Sequence, residues 1–381
     1  MEEGRINLNL AWTFPLERGT ISLKANDENT VAISVSMPPT NLPSDISQTR
    51  GYAYLVRRID GKIVSWRYEA LMGFNCTAFD PMGDRVIYGN DDGNLYVFDY
   101  EGNLIDQRNF GSPIHACVFS ADGKRLAISL EGEGGDKVSV LDSSLEYLWE
   151  FLANDNVWSM AWKDDVLAVA SHDGNVYLVK KPTIIWKEEV AEAVNRVSWC
   201  GNKLAVSTFK PGSIIVYDTT DIEKPVRVME YYSGLENVWG LDFDTDCKLI
   251  AFGDLITKRF GIIDLEGNLI VNKHLNDGIQ SLSWEESNIF LAHNSLWVLS
   301  VEKCTPLSKA GVLIDHVVTI SFKLEESDVA EISSVLHHLL GSPRYVYVND
   351  KLLKVSVVKG DHLYIKSPFE GEVEVKRVRE V

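Results

Sequence analysis

Short apolar runs alternate with polar turns along most of this chain, and the alternation itself repeats. One six-residue pattern recurs: apolar, variable, small, apolar, variable, then Phe or Trp. It reads FNCTAF ending at Phe79, IHACVF at Phe119, VWSMAW at Trp162, VNRVSW at Trp199, VWGLDF at Phe243 and IQSLSW at Trp284. The spacings between these anchors are 40, 43, 37, 44 and 41 residues. After each anchor comes a polar turn, a short apolar strand such as RLAIS or VLAVAS, and a tight turn such as Asp92-Gly93-Asn94 or Asp173-Gly174-Asn175. A third strand (LYVFD, VYLVK, IIVYD), another turn and a fourth strand complete the unit. Asp-Gly and Asn-rich turns suit tight antiparallel hairpins. Four short strands per unit of ~40–45 residues make one blade of a β-propeller.

The series extends backwards. Trp66, Trp149 and Trp186 each lie 13 residues before an anchor, and Trp12 on the same ruler puts an anchor at Ala25, in TISLKA. A first blade therefore runs over roughly 20–69, with an inserted segment at 36–50 that Pro38, Pro39 and Pro43 stiffen into an extended loop. The last blade has no good fourth strand after LWVLS at 296–300, where the chain reads VEKCTPLSKAG. The segment INLNLAWTF at 6–14 carries Trp12 and is expected to supply it, closing the ring and removing a free sheet edge. The expected fold is all-β: a seven-bladed β-propeller over 1–305, with a small α+β domain at 310–381.

Beyond residue 305 the period breaks. HVVTISFKL reads as a strand, and DVAEISSVLHHLLG (328–341) reads as a helix, with Val329, Ile332, Val335, Leu336 and Leu339 on one face and Gly341 as its stop. Strands are expected near 345–348, 352–358, 363–366 and 373–378. An eighth blade is the alternative, against which stand the missing anchor and the intervening helix.

Third strands end Phe98-Asp99, Leu141-Asp142, Tyr217-Asp218 and Ile263-Asp264. Over roughly residues 6–305 the chain thus resembles the WD40 family, whose repeats end Trp-Asp, although the Trp is replaced throughout and the usual opening Gly-His is absent. The turns DGNLYVFDYEGNL and DGNVYLVKKPTIIW also look like the repeats of quinoprotein-type propellers. The WD40 resemblance implies a rigid protein-interaction scaffold.

Net charge is −18, and residues 310–381 hold nine Lys and Arg against eleven Asp and Glu, so sixteen of the net negative charges lie upstream. So acidic a propeller is a poor direct binder of nucleic acid, and attracts basic partners at long range. No apolar run of 18 residues occurs, and MEEGRINLNLAW lacks the cationic start of a secretory signal. Five widely spaced cysteines without a CxxC (Cys76, Cys117, Cys200, Cys247, Cys304) read as reduced thiols of a cytoplasmic protein.

Catalytic and metal motifs are missing: no GxSxG, Walker loop, HExxH or Cys/His metal spacing occurs, so neither cofactor nor metal is expected and the chain reads as non-enzymatic. One constellation carries chemistry. The second residues of the hexads are Ile21, Asn75, His115, Trp158, Asn195, Trp239 and Gln280. By alternation each points with the fourth and sixth residues, at the start of its strand beside the loop entering the blade. That placement makes a ring at a channel mouth. The expectation is a partner-binding face built on Asn75, His115, Trp158, Asn195, Trp239 and Gln280. Trp158 and Trp239 each follow an acid-Asn-Val triplet (Asp155, Glu236), which suits a protein or peptide with a basic segment. The rival account of the tryptophans is blade core. Rival functions are an enzyme using the channel as a pocket, and a component of an RNA- or ribosome-associated assembly contacting RNA through Lys376-Arg377-Val378-Arg379.

Overall fold

The computed structural model describes the backbone of residues 5–17, 19–37 and 50–304 and of six further strands between 312 and 380; side chains are described within 6–302. By contacts the chain divides into two compact units, Asn9–Ser300 and Met1–Leu8 with Val301–Val381.

The first unit is a seven-bladed propeller. Its inner strands are Thr20–Asp27, Phe74–Phe79, Ile114–Phe119, Val157–Lys163, Ala193–Cys200, Gly240–Phe243 and Ser281–Glu285, in blades 1 to 7. Each inner strand touches the next, and the last touches the first, so the ring is closed. Blade 5 shows three strands, because its second and third run on as Lys203–Asp218. In blade 7 the order across the sheet is Arg5–Pro15, Ser295–Cys304, Asn288–Ala292, Ser281–Glu285, so the N-terminal strand is the outer strand of the last blade. Trp12 lies edge-on to Phe290 at 6.3 Å in the shared core. The strand beside it continues through Val301–Cys304, a stretch that reads poorly as strand in sequence.

The apolar core lies between blades. One cluster joins Trp12, Phe290 and Val298 of blade 7 to Leu23, Val31 and Tyr54 of blade 1; another joins Leu55 and Ala53 of blade 1 to Phe74, Tyr88 and Phe98 of blade 2. A single blade cannot bury both its faces, so each is stable only against its neighbours. Polar groups do local work in the turns. Asp99, Asp142, Asp218 and Asp264, which end the third strands, each accept hydrogen bonds from backbone N–H groups of the next turn, such as Ser144 N at 2.8 Å and Asn268 N at 2.8 Å. Those acids therefore cap outer hairpins and take no part at the channel.

The cysteines contradict the reading of reduced thiols. Cys76 is bonded to Cys117, with Cα atoms 5.7 Å apart, and Cys200 to Cys247, at 5.4 Å. Their sequence separations, 41 and 47 residues, are each about one repeat. In a ring of repeats, positions one repeat apart are spatial neighbours in adjacent blades, so wide spacing places cysteines together. Disulfides persist in oxidising compartments and in the cytosol of some hyperthermophiles, so the premise behind a cytoplasmic placement falls. Among the described residues no helix is long and apolar enough to cross a membrane.

The second unit contains a six-stranded sheet in the order Val312–Phe322, Gly371–Glu380, Tyr345–Val348, Lys351–Lys359, His362–Lys366, Val329–Ile332. The expected strands after 345 are present. Val329–Ile332, expected to open a helix, instead pairs antiparallel with His362–Lys366. The remainder of that helix, 333–341, lies outside the described residues, as does most of the blade-1 insertion, 38–49.

Two outcomes follow. Deleting residues 1–15 strips blade 7 to three strands with an open edge; the truncated chain should be insoluble or melt far lower, and unchanged melting would show that the ring closes otherwise. Thiol titration of denatured, unreduced protein should find one free cysteine of the five. Each disulfide closes a loop worth about 4 kcal/mol in the chain-entropy account, so reduction should lower the melting temperature markedly; five titratable thiols would contradict the pairing.

Candidate functional site

The hexad positions have distinct jobs. Even positions face the preceding blade: Trp162 Nε1 donates to Val118 O at 3.3 Å, and Trp199 Nε1 to Ala161 O at 3.1 Å. The third position faces the next inner strand and links to it. Ser159 Oγ accepts from Val197 N at 3.2 Å, and Ser281 Oγ from Leu23 N at 3.0 Å. The Cys76–Cys117 bond joins the same third and fourth positions covalently. Gly240 holds this place in blade 6, where a Cβ would lie 2.9 Å from Ile279 Cγ2 and 3.0 Å from Leu282 Cβ.

The second position does not follow the alternation expected of it. Register shifts fall between Thr20 and Ser22, Phe74 and Cys76, Ile114 and Ala116, Val157 and Ser159, and Val194 and Arg196. The skipped residue is the second of the hexad in blades 1 to 5. A bulge of this kind re-aims the extra residue and frees its carbonyl from the ladder.

The second-position side chains divide into two sets. Asn75, His115 and Asn195 are buried, at 6%, 7% and 1% exposure. Asn75 and Asn195 reach the first hexad residue of the following blade directly, and His115 does so through Asp136. Asn75 Nδ2 donates to Asp91 Oδ1 (2.6 Å) and Ile114 O (3.2 Å), and Asn195 Nδ2 to Asn237 Oδ1 (2.5 Å) and Val238 O (3.1 Å). His115 Nδ1 lies 2.9 Å from Asp136 Oδ2, which also accepts from Val157 N at 2.9 Å. Ile21, Trp158, Trp239 and Gln280 are partly exposed.

These groups form a continuous tract. The His115 ring stacks on Trp158 at 4.7 Å and 19°. Trp158 meets His172 at 6.2 Å, and His172 meets Trp239 at 6.1 Å. The Arg196 guanidinium lies over Trp239 at 5.3 Å. Asp155 and Glu236, beside the two tryptophans in sequence, are exposed.

Arg196 is the residue that sequence reasoning missed. It donates to Trp158 O at 3.0 Å and Asn195 O at 3.4 Å through one nitrogen, and to Ile21 O and Gln280 O at 3.5 Å through the other. Those carbonyls belong to second-position residues of blades 4, 5, 1 and 7. Blades 4 and 5 stand across the ring from blades 7 and 1, so a group touching all four lies on the channel axis. Burial pushes the guanidinium pKa down to about 10. Its signal was present in the sequence: VNRVSW carries Arg where every other hexad has Ser, Cys, Ala or Gly. His172, in the turn between second and third strands of blade 4, has no such signature.

Below Arg196 the inner strands enclose a cavity of about 480 Å³. Ser198 Oγ donates to Asp242 Oδ1 at 2.7 Å, and Phe243 N (3.0 Å) and Trp284 N (3.1 Å) also donate to that carboxylate. Lys24 Nζ pairs with Glu285 Oε1 at 3.4 Å. Burial pulls the Lys24 pKa down, but Asp242 and Glu285 outweigh it and leave it raised. Among the described residues no group of three His, Cys, Asp or Glu side chains could hold a metal ion.

No family model matches this chain, and no curated protein matches it. Many solved structures do. The β-propeller domain of Myceliophteria thermophila Cps50 (Swd1) is 10% identical, with a TM-score of 0.62, over 78% of this chain and 100% of that one. The WD40 β-propeller domain of Doa1 is 14% identical, with a TM-score of 0.63, over 77% of this chain and 97% of that one. The chain has a divergent WD40-like propeller fold.

The two histidines of the tract predict opposite pH dependences. For His115, burial lowers the pKa, but the hydrogen bond and charge of Asp136 leave it raised above 6.5. Its contribution to stability is full below that value and is lost as pH rises through the folded pKa. Burial, with Arg196 nearby, lowers the His172 pKa, so its contribution is full above 6.5 and is lost as pH falls. In urea titrations across pH, His115→Gln should flatten the decline on the alkaline side and His172→Gln the decline on the acid side. Unchanged profiles would refute both assignments.

Proposed function

We propose that this chain is a non-enzymatic scaffold that holds a protein or peptide partner against the face formed by the loops entering the blades, with Trp158 and Trp239 as anchors. The observation that carries this reading is the aromatic tract from Trp158 through His172 to Trp239, partly exposed on a rigid ring and flanked by the exposed acids Asp155 and Glu236. Rigid aromatic side chains gain contact area at little cost in ordering. Carboxylates beside them favour a basic segment in the partner and speed its approach.

Burial divides the proposed contact residues. Trp158, Trp239 and Gln280 can touch a partner directly, whereas Asn75, His115 and Asn195 set the position of that surface by tying each blade to the next. His115 covers one face of Trp158, and Arg196 lies over Trp239, so a partner meets the outer edges and remaining faces of the indoles. The two disulfides suit an oxidising compartment, or a cell interior that tolerates them.

Affinity capture with the full chain, followed by titration of the recovered partner, tests the reading. Trp158→Ala or Trp239→Ala should weaken binding by ~2 kcal/mol or more, about thirtyfold, with a small change in melting temperature. Charge reversal at Asp155 or Glu236 should slow association, less so as salt rises. Tryptophan variants that unfold without selective loss of binding would return both residues to the blade core.

A further inference from the structure

The channel cavity runs from the aromatic tract, where Asn75, Trp158 and Arg196 contribute to its lining, towards the opposite face of the ring. Pro81, Ser120 and Ala121, from the turns after the inner strands of blades 2 and 3, contribute to its walls, as does Asn26 in blade 1. Among the described residues none of the loops entering the blades contributes. At the tract end, the Arg196 guanidinium crosses the axis between carbonyls of blades 1, 4, 5 and 7. The channel is therefore blind, floored by a cation and open at the face of the first-to-second-strand turns.

The charges in this pocket are unequal in their partnering. Asp242 accepts from three donors, and Glu285 is paired with Lys24. Arg196 has no carboxylate within ion-pair distance among the described residues. Its four carbonyl partners supply dipoles but no net charge. A partly desolvated cation without a counter-charge is costly, and an entering anion relieves that cost. Planar guanidinium groups take carboxylates and phosphates in charge-assisted hydrogen bonds. Ser22, Ser159, Ser198 and Ser283 are among the residues lining the walls. The volume, about 480 Å³, falls within the ~300–1,000 Å³ of small-molecule sites.

We propose that the channel is a binding pocket for a small hydroxylated oxyanion, which enters from the turn face and places its anionic group on Arg196 and its hydroxyls against the serine-lined wall. Lys24, on the same wall, adds long-range attraction. The site adjoins the partner-binding face at Trp158, but its anion contact, Arg196, is not one of that face's anchors, so the proposal stands or falls on anion binding alone.

Calorimetric titration of the full-length protein with three probes tests this: gluconate, glycerol 3-phosphate and sorbitol, the last a neutral polyol of gluconate's size. At least one anionic probe should bind saturably and sorbitol at least about tenfold more weakly; which anion binds tells a carboxylate from a phosphate head group. Arg196→Gln, if folded by circular dichroism, should abolish binding, and Lys24→Gln should weaken it severalfold. Should Arg196→Gln fail to fold, Lys24→Gln decides alone. Failure of both anions to bind, equal binding of sorbitol, full affinity in folded Arg196→Gln, or full affinity in Lys24→Gln would each overturn the proposal.

Discussion

Everything in this propeller depends on how closely neighbouring inner strands approach one another. In every blade but the fifth the third hexad residue faces the next strand and is small, to the point that Gly240 has no room for a Cβ. Within that space the chain uses three chemically different links between the same two positions: a serine hydroxyl to a backbone N–H, a bare close contact at glycine, and a disulfide. A ring of seven mutually dependent sheets has no independent hydrophobic core. Its stability is a sum over interfaces, so one covalent link between inner strands acts where an open interface would otherwise begin unfolding.

The same close approach explains the second position. With the third residue committed to the neighbouring strand, the preceding residue bulges in five of the seven blades. Its side chain turns to the next blade or to the face, and its carbonyl turns to the axis. Several such carbonyls pointing inward create a site of negative partial charge that suits a cation. Arg196 fills it, and can do so only because blade 5 departs from the small-residue rule. The exposed aromatic tract and the blind channel thus meet at a single guanidinium, to which bulged residues of blades 1, 4 and 5 turn three of the four carbonyls.

The strand count, the seven repeats and the closing role of the Trp12 strand were legible in the sequence, because burial between blades imposes a period on apolar residues that no turn or loop disguises. Three features were not legible. The disulfides were hidden because spacing rules for cysteines assume a chain without repeats, whereas here Cys76 and Cys117 are adjacent through the period itself. The bulges were hidden because strand alternation is the default inference, and no residue type at Asn75, His115 or Trp158 marks an extra residue. Val329–Ile332 shows the third limit: its apolar spacing fits a helix face, and long-range pairing with His362–Lys366 overrides it. Arg196 differs from these. It was visible as the one large, charged residue at a small-residue position, and that kind of exception to a repeat is where a functional group is to be sought.

The central claim is that the Arg196 guanidinium sits on the channel axis, held by second-position carbonyls from opposite sides of the ring. Nitrogen-15 NMR of arginine-labelled protein tests it most directly, through the side-chain N–H signals. A guanidinium fixed by four carbonyls should give resolved terminal N–H resonances that exchange slowly with solvent and disappear in Arg196→Lys. Rapid rotation and fast exchange of every arginine terminal N–H group in the folded wild-type protein would contradict the account and leave the channel open at both ends.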